Sequence, residues 1–203
     1  MRCLWLLPIL CVLALPHLRA QTPQPATDGF VSVGINPVYP FLGGYGVRGQ
    51  YNLPGHWSVG LSAEGGFDLP EFAEEGFFEN AGAISVEWDY ALGLEATYRF
   101  TAGTSDLSGF FAGVAIGFEQ WTVTPDPTAA ELSDSRFDNW FASLSAGYTW
   151  YPTRTSRLWL QGAYSGIWLV SGTQARAVGS TAFRLRSFAA SPSITVGWQF
   201  RNR

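Results

Sequence analysis

The sequence predicts an all-β protein, a closed eight-stranded antiparallel up-and-down β-barrel that spans a membrane. Three observations carry this prediction. Apolar residues alternate with small or polar ones in eight separate segments, aromatic side chains close the ends of the apolar faces, and short connections alternate with long ones. Residues 140–150 show the first two features together. Trp140, Ala142, Leu144, Ala146, Tyr148 and Trp150 form one face; Phe141, Ser143, Ser145, Gly147 and Thr149 form the other. Strict alternation marks a strand with unlike faces. Trp and Tyr at both ends of the apolar face suit the two membrane–water interfaces.

Taken in order, the apolar and outward-facing sets are these. Segment 29–36 presents Val31, Val33 and Ile35, and 45–53 presents Tyr45, Val47, Tyr51 and Leu53. Segment 57–64 presents Trp57, Val59, Leu61 and Ala63. Segment 86–100 presents Val86, Trp88, Tyr90, Leu92, Leu94, Ala96, Tyr98 and Phe100. Segment 109–119 presents Phe110, Ala112, Val114, Ile116 and Phe118, and 140–150 is described above. Segment 158–170 presents Leu158, Leu160, Tyr164 and Trp168, and 193–200 presents Ile194, Val196, Trp198 and Phe200. Most segments match or slightly exceed the ~9–11 residues that a tilted strand needs to cross a bilayer. Pro192 cannot donate to a ladder and a barrel has no edge to hide it on, so a bulge is expected there, leaving the facing of Arg184 and Arg186 open.

The connections follow the same logic. Pro54-Gly55, 101–107 and 152–156 are short. The stretches 65–85, 120–139 and 171–183 are longer, and 37–44 is brief but holds Pro37, Pro40, Gly43 and Gly44. Short turns on the periplasmic side and longer loops outside are the pattern of outer-membrane barrels, with both termini on the periplasmic side. Closure follows from chemistry: in lipid every backbone N–H and C=O needs a partner, and only a closed sheet leaves no edge.

The two ends complete the domain map. Arg2 precedes the apolar run 3–15, and Leu18-Arg19-Ala20 then Gln21 fits a secretory cleavage site, so 1–20 is expected to be a signal peptide. The alternative is a retained N-terminal anchor, but the apolar core is short for a transmembrane helix. Residues 21–28, with Pro23 and Pro25, are expected to form a flexible lead-in, and 29–203 the barrel domain. Cys3 and Cys11 both lie in the signal, which leaves the remainder without thiol chemistry. There is no lysine. Arg2 and Arg19 are the only charged residues of 1–20, so losing that segment takes the formal net charge from −4 to −6. That balance excludes nucleic-acid binding, which needs clustered cations.

The signal, the eight strands, the alternating connections, the aromatic girdles and a last strand ending at Phe200 together resemble the small bacterial outer-membrane barrels of the OmpA and OmpX type. The resemblance covers 29–200 and is architectural. It implies residence in the bacterial outer membrane, contact with the bilayer and its outer-leaflet lipid, and a monomer.

The interior decides between functions. The expected inward set includes Arg48, Gln50, Asn52, Ser58, Ser62, Glu64, Glu87, Asp89, Glu95, Thr97, Arg99, Glu119, Ser143, Ser145, Gln161, Ser165 and Gln199. It also holds Gly34, Gly60, Gly93, Gly113, Gly117, Gly147 and Gly197. An eight-stranded interior is only wide enough for side chains to fill. Buried charges there must pair, so Arg48 and Arg99 are expected to answer Glu95 and its neighbours. A plugged lumen points to a structural or surface-interaction protein that offers 65–85, 120–139 and 171–183 to an extracellular partner. The alternative is a narrow channel for small solutes, with the glycines making room. A third reading is a soluble lipocalin-like barrel with its apolar face inside.

No enzyme is expected, and no catalytic, cofactor or metal site is assigned. The two histidines are His17, in the signal, and His56, in the shortest turn, so no His, Cys or Lys stands near the outer mouth to activate a nucleophile; Glu87 and Asp89, two apart on one face, could form an acid–base pair, but a structural pairing with Arg is expected instead. Glu64, Glu87, Asp89 and Glu119 are expected to converge at that mouth. Asp68, Glu71, Glu74, Glu75 and Glu79, and Asp126, Glu131, Asp134 and Asp138, make the loops acidic. Such oxygens suit Ca²⁺ or Mg²⁺, but no spacing matches a known cation loop. Phe72, Phe77 and Phe78 in the first acidic loop are either a contact surface or a rim anchor.

Overall fold

The computed structural model describes residues 29–79, 84–100, 108–125, 135–153, 156–178 and 181–200. The expected signal 1–20 and lead-in 21–28 lie outside them.

Eight strands form the barrel: β1 (Phe30–Ile35), β2 (Tyr45–Asn52), β3 (Trp57–Gly65), β6 (Ile84–Arg99), β7 (Gly109–Pro125), β8 (Ser135–Trp150), β9 (Leu158–Leu169) and β12 (Phe188–Phe200). Each pairs antiparallel with its neighbour. β1 on β12 and β3 on β6 close the ring. The register can be followed around it. Phe200 pairs with Val31, then Tyr51, Val59, Ala96, Val114, Leu144, Gly166 and finally Ala190. The path returns to β12 ten residues from its start, and that stagger tilts the strands by roughly 35–45°, as closure requires.

Every residue on that path faces out, and the exterior is apolar. Val33, Leu61, Leu94, Val114, Ile116, Leu144 and Ile194 are all exposed. Two aromatic girdles bound this band. Trp57 packs on Tyr98 and Phe110 on Tyr148 at the short-turn end; Phe118 packs on Trp140 and Trp168 on Phe188 at the long-loop end. Phe110 and Phe118 are eight residues apart on β7, about 20 Å along the membrane normal at ~3.3 Å per residue and this tilt. Water does not tolerate an apolar surface of this extent, whereas lipid demands it. The bulky apolar face lies outside, which overturns the lipocalin-like arrangement.

The long-loop end departs from the expectation. β7 and β8 run well past the girdle, so 120–125 and 135–139 are paired strand and not loop. Stretch 65–85 holds β4 (Phe67–Asp68), helix α1 (Glu71–Phe77) and β5 (Phe78–Glu79). Stretch 171–183 holds β10 (Arg176–Val178) and the start of β11 (Thr181–Leu185). β4 pairs with β6, β10 with β11, and β11 with β5. Together they fold into a cap. Its core buries Phe67, Leu69, Phe78, Ile84, Val86, Trp121, Val123, Phe137, Leu169, Phe183 and Leu185.

Two predictions of strand geometry fail for one reason each. A bulge falls between Trp88 and Tyr90 of β6, not at Pro192. It reverses the faces above it, so Val86 is wholly buried in the cap and Trp88 half-buried, while Glu87 is exposed. The bulge sits opposite Gly65 and Gly66, both with positive φ, and the Gly66 N–H donates to the carbonyls of Trp88 and Asp89. A Cβ on Gly65 would stand 2.6 Å from the Tyr90 Cα. β12, by contrast, keeps one unbroken register with β9 through Pro192. The proline needs no bulge because β1 ends at Ile35, paired with Val196, and among the described residues Phe188–Thr195 has no ladder partner on that side. Part of β12 is an edge, where proline is tolerated.

Candidate functional site

The interior has three levels. At the short-turn end Trp159 is wholly buried and points into the lumen, with Gly34 and Gly197 beside it. A Cβ at Gly34 would stand 2.8 Å from the indole, and one at Gly197 would collide with it. Phe111 lies likewise against Gly147, and Phe141 against Gly117. The inward glycines therefore accommodate aromatic rings. The pattern of apolar-out and polar-in alternation gives no warning of Trp159, because a Trp flanked by Leu158 and Leu160 fits either face. The matching glycines were the available signal.

The same level holds a polar knot. Arg99 Nη1 donates to the Ser58 hydroxyl, which donates to Asn52 Oδ1 at 2.8 Å; Asn52 Nδ2 in turn donates to Ser32 at 3.0 Å. His56 stacks on Tyr98 with ring centroids 4.9 Å apart. Its Nδ1 lies 2.6 Å from the Arg99 carbonyl, so that nitrogen carries the proton. In this turn His56 fixes backbone.

The middle level carries the expected ion pair. Arg48 Nε stands 2.9 Å from Glu95 Oε1, and Gln50 Nε2 donates to the same oxygen at 3.1 Å. Arg99 does not join them; its head group reaches Ser58.

Above them the expected convergence of carboxylates is partial: Glu64 and Glu119 line one cavity, whereas Glu87 and Asp89 do not reach it. Glu64 accepts from the Tyr39 hydroxyl at 2.9 Å, and Glu119 from Asn139 Nδ2 at 2.7 Å. Asp89 accepts from Thr122 at 2.9 Å and faces Arg136 Nε at 3.6 Å, while Glu87 lies on the outer surface. Glu64, Asp89 and Glu119 each have a partner of their own, and among the described residues no group of three His, Cys, Asp or Glu stands together to hold a metal ion. A cavity of about 440 Å³ reaches from the Arg48–Glu95 level up to the underside of the cap.

The cap rests on packed aromatics. Trp88 stacks on Trp121 at 5.4 Å, Phe78 meets Trp121 edge-on at 5.6 Å, and the Arg176 guanidinium lies 4.7 Å over the Phe137 ring. Phe78 is buried and Phe77 packs against the core, so these two are anchors; the Phe72 side chain lies outside the described residues. Arg184 and Arg186 are exposed and tie the cap together, donating to the carbonyls of Thr173 and Glu75. Glu74 is buried and accepts the Val86 N–H at 3.0 Å. Burial pushes its pKa above the usual 4.5, and nearby Glu71 and Asp68 push the same way.

A lipid-facing apolar band between two aromatic girdles, on a barrel of eight antiparallel strands, defines a transmembrane β-barrel. Among solved structures the chain is similar to the N-terminal β-barrel domain of Pseudomonas aeruginosa OprF (15% identity, TM-score 0.47, covering 85% of this chain and 100% of that one). It is also similar to Neisserial surface protein A (12% identity, TM-score 0.38, covering 86% and 97%). No family of known sequences and no curated relative matches it.

Proposed function

We propose that the protein is a structural and surface-interaction component of the outer membrane, with a lumen closed to ions and a folded cap presented outside. The observation that carries this reading is the cap core. An open pore has no use for eleven apolar side chains buried across its mouth, whereas a displayed surface needs such a core to hold its shape. The Arg48–Glu95–Gln50 contact and the Trp159 ring support closure at two lower levels. The cap exterior carries Asp68, Glu71, Glu75, Glu79 and Glu87, all exposed, which suits a cationic partner. Among the described residues no imidazole stands near the outer mouth: His56 is engaged with Arg99 at the far end. Residues 1–20 fit this reading as the secretory signal.

Planar-bilayer recording tests it. The purified barrel is expected to give no stepwise current at any salt concentration. Reproducible salt-dependent steps from the native protein would put the narrow channel in its place.

A further inference from the structure

The wall of the barrel is incomplete on one side. By register, the β12 edge Phe188–Thr195 would pair with a β1 extended past Ile35, but the chain there turns off into loop 36–44 and a short 3₁₀ helix, Tyr39–Leu42. The missing segment lies between Thr195 and Phe188, and Phe188 packs on Trp168 in the girdle, so the notch is level with the membrane leaflet at the long-loop end. The loop beside it is built for lipid. Asn36, Pro37, Val38, Tyr39, Pro40, Phe41 and Leu42 carry no charge, and Phe41 is 90% exposed. Its donors turn inward. Val38 N–H donates to Asn36 Oδ1, Phe41 N–H to Val38 O, Gly43 N–H to Pro40 O and Gly44 N–H to Tyr39 O, while the two prolines have no donor. Four backbone donors are thus satisfied within the loop, and on the open β12 edge Pro192 has no N–H to satisfy, both of which lower the cost of meeting hydrocarbon.

Behind the notch lies the cavity of about 440 Å³, within the ~300–1,000 Å³ of small-molecule sites. Its lining is graded. Ile35, Val38, Leu42, Pro192 and Ile194 stand at the notch, and Leu69, Ala73 and Phe77 of the cap roof it. The polar lining includes Ser143, Ser145, Ser165, Glu64 and Glu119, together with Arg48 and Glu95 paired to each other. Arg48 is committed to Glu95, so the polar lining offers acceptors and carboxylates and no free cation among the described residues.

We infer that this notch is a lateral portal, through which the cavity takes a single-chain amphipath from the membrane, tail toward the apolar lining and a hydrogen-bond-donating hydroxyl or amine head among the serines and Glu64. The head chemistry follows from charge: a carboxylate or phosphate would face acidic groups without a counter-ion, whereas a hydroxyl or ammonium donates to them.

A single thiol reports on it. In the full chain with Cys3→Ser and Cys11→Ser, Ser165→Cys places a thiol in the cavity, and Ser145→Cys, directly across the ladder, is the second position should the first fail to fold. Each variant is reconstituted in phosphatidylcholine vesicles, its folding checked by the heat-dependent gel shift, and treated with N-dodecylmaleimide or a sulfonated, water-confined maleimide. The thiol is expected to react with the lipid-soluble reagent and be spared by the sulfonated one. Dodecanol or dodecylamine at roughly ten times its dissociation constant is expected to slow the reaction about tenfold, and dodecanoate to leave it unchanged. Labelling by the sulfonated reagent overturns the portal, as does labelling by neither. Lipid-soluble labelling that dodecanol and dodecylamine do not slow overturns the bound amphipath, and equal protection by dodecanoate overturns the head assignment.

Discussion

Single side chains in this protein act through what is buried beside them. Gly197 holds space for Trp159, so Gly197→Val is expected to cost about 1–3 kcal/mol through overpacking, read as a lowered urea midpoint, and Trp159→Ala in the same chain to recover part of the loss. Arg48 neutralises Glu95 in the lumen. Arg48→Met leaves a buried carboxylate with no counter-charge, held by Gln50 alone, and is expected to cost about 3–5 kcal/mol, whereas Arg48→Met with Glu95→Gln costs less, because no uncompensated charge remains. A double-mutant cycle on the unfolding midpoints checks both. Glu74 sets a pH dependence. Its folded pKa lies above the unfolded value near 4.5, so the native cap binds the proton more tightly than the open one. Cap stability is therefore expected to rise as pH falls from neutrality toward 4.5 and to decline as pH rises through the folded value. Exchange protection of the Val86 amide, corrected for intrinsic rate, reports this, and Glu74→Gln removes the slope while keeping an acceptor for that amide.

At the scale of elements, the extensions of β6, β7 and β8 and the short β4, α1, β5 and β11 form a second core distinct from the membrane wall. Trp121 joins its parts, touching Trp88, Phe77 and Phe78. Trp121→Ala is expected to destabilise the cap by about 3–5 kcal/mol, the range for truncating a buried aromatic. Stretch 66–79 should then become open to protease while the barrel keeps its heat-dependent gel shift; loss of both together would show that the two cores fold as one. The β6 bulge belongs to this scale too. Alternation counted straight through 86–100 put Val86 and Trp88 in lipid, because a period of two carries no memory of an inserted residue. Both lie in the cap interior.

At the scale of the molecule, the membrane band was legible apart from the first half of β12, where Phe188 joins the girdle. Val33, Leu61, Val114, Leu144 and Ile194 face out as alternation requires, and Trp57, Tyr98, Trp140 and Trp168 mark the girdles. Lipid imposes this: each exposed position must be apolar and each strand must alternate, so the constraint is local and repeats in every segment. The Arg48–Glu95 pair was legible for a similar reason, since a buried charge needs an opposite one. Three features were not. The acidic composition of 65–85 masked Phe67 and Leu69, and left Phe78 open between surface and anchor, because their burial depends on Phe183 and Leu185, more than a hundred residues away. The notch arises because β1 stops at Ile35 while β12 continues up to Phe188, a mismatch visible only when first and last strands meet. The cavity exists because the cap closes above it. By itself the sequence determined the barrel, its strand number and the faces of its membrane segments, because solvent acts on each residue where it stands. The tertiary structure alone decided the cap, the reversed face above the bulge and the opening in the wall, because these depend on which distant strands are brought side by side.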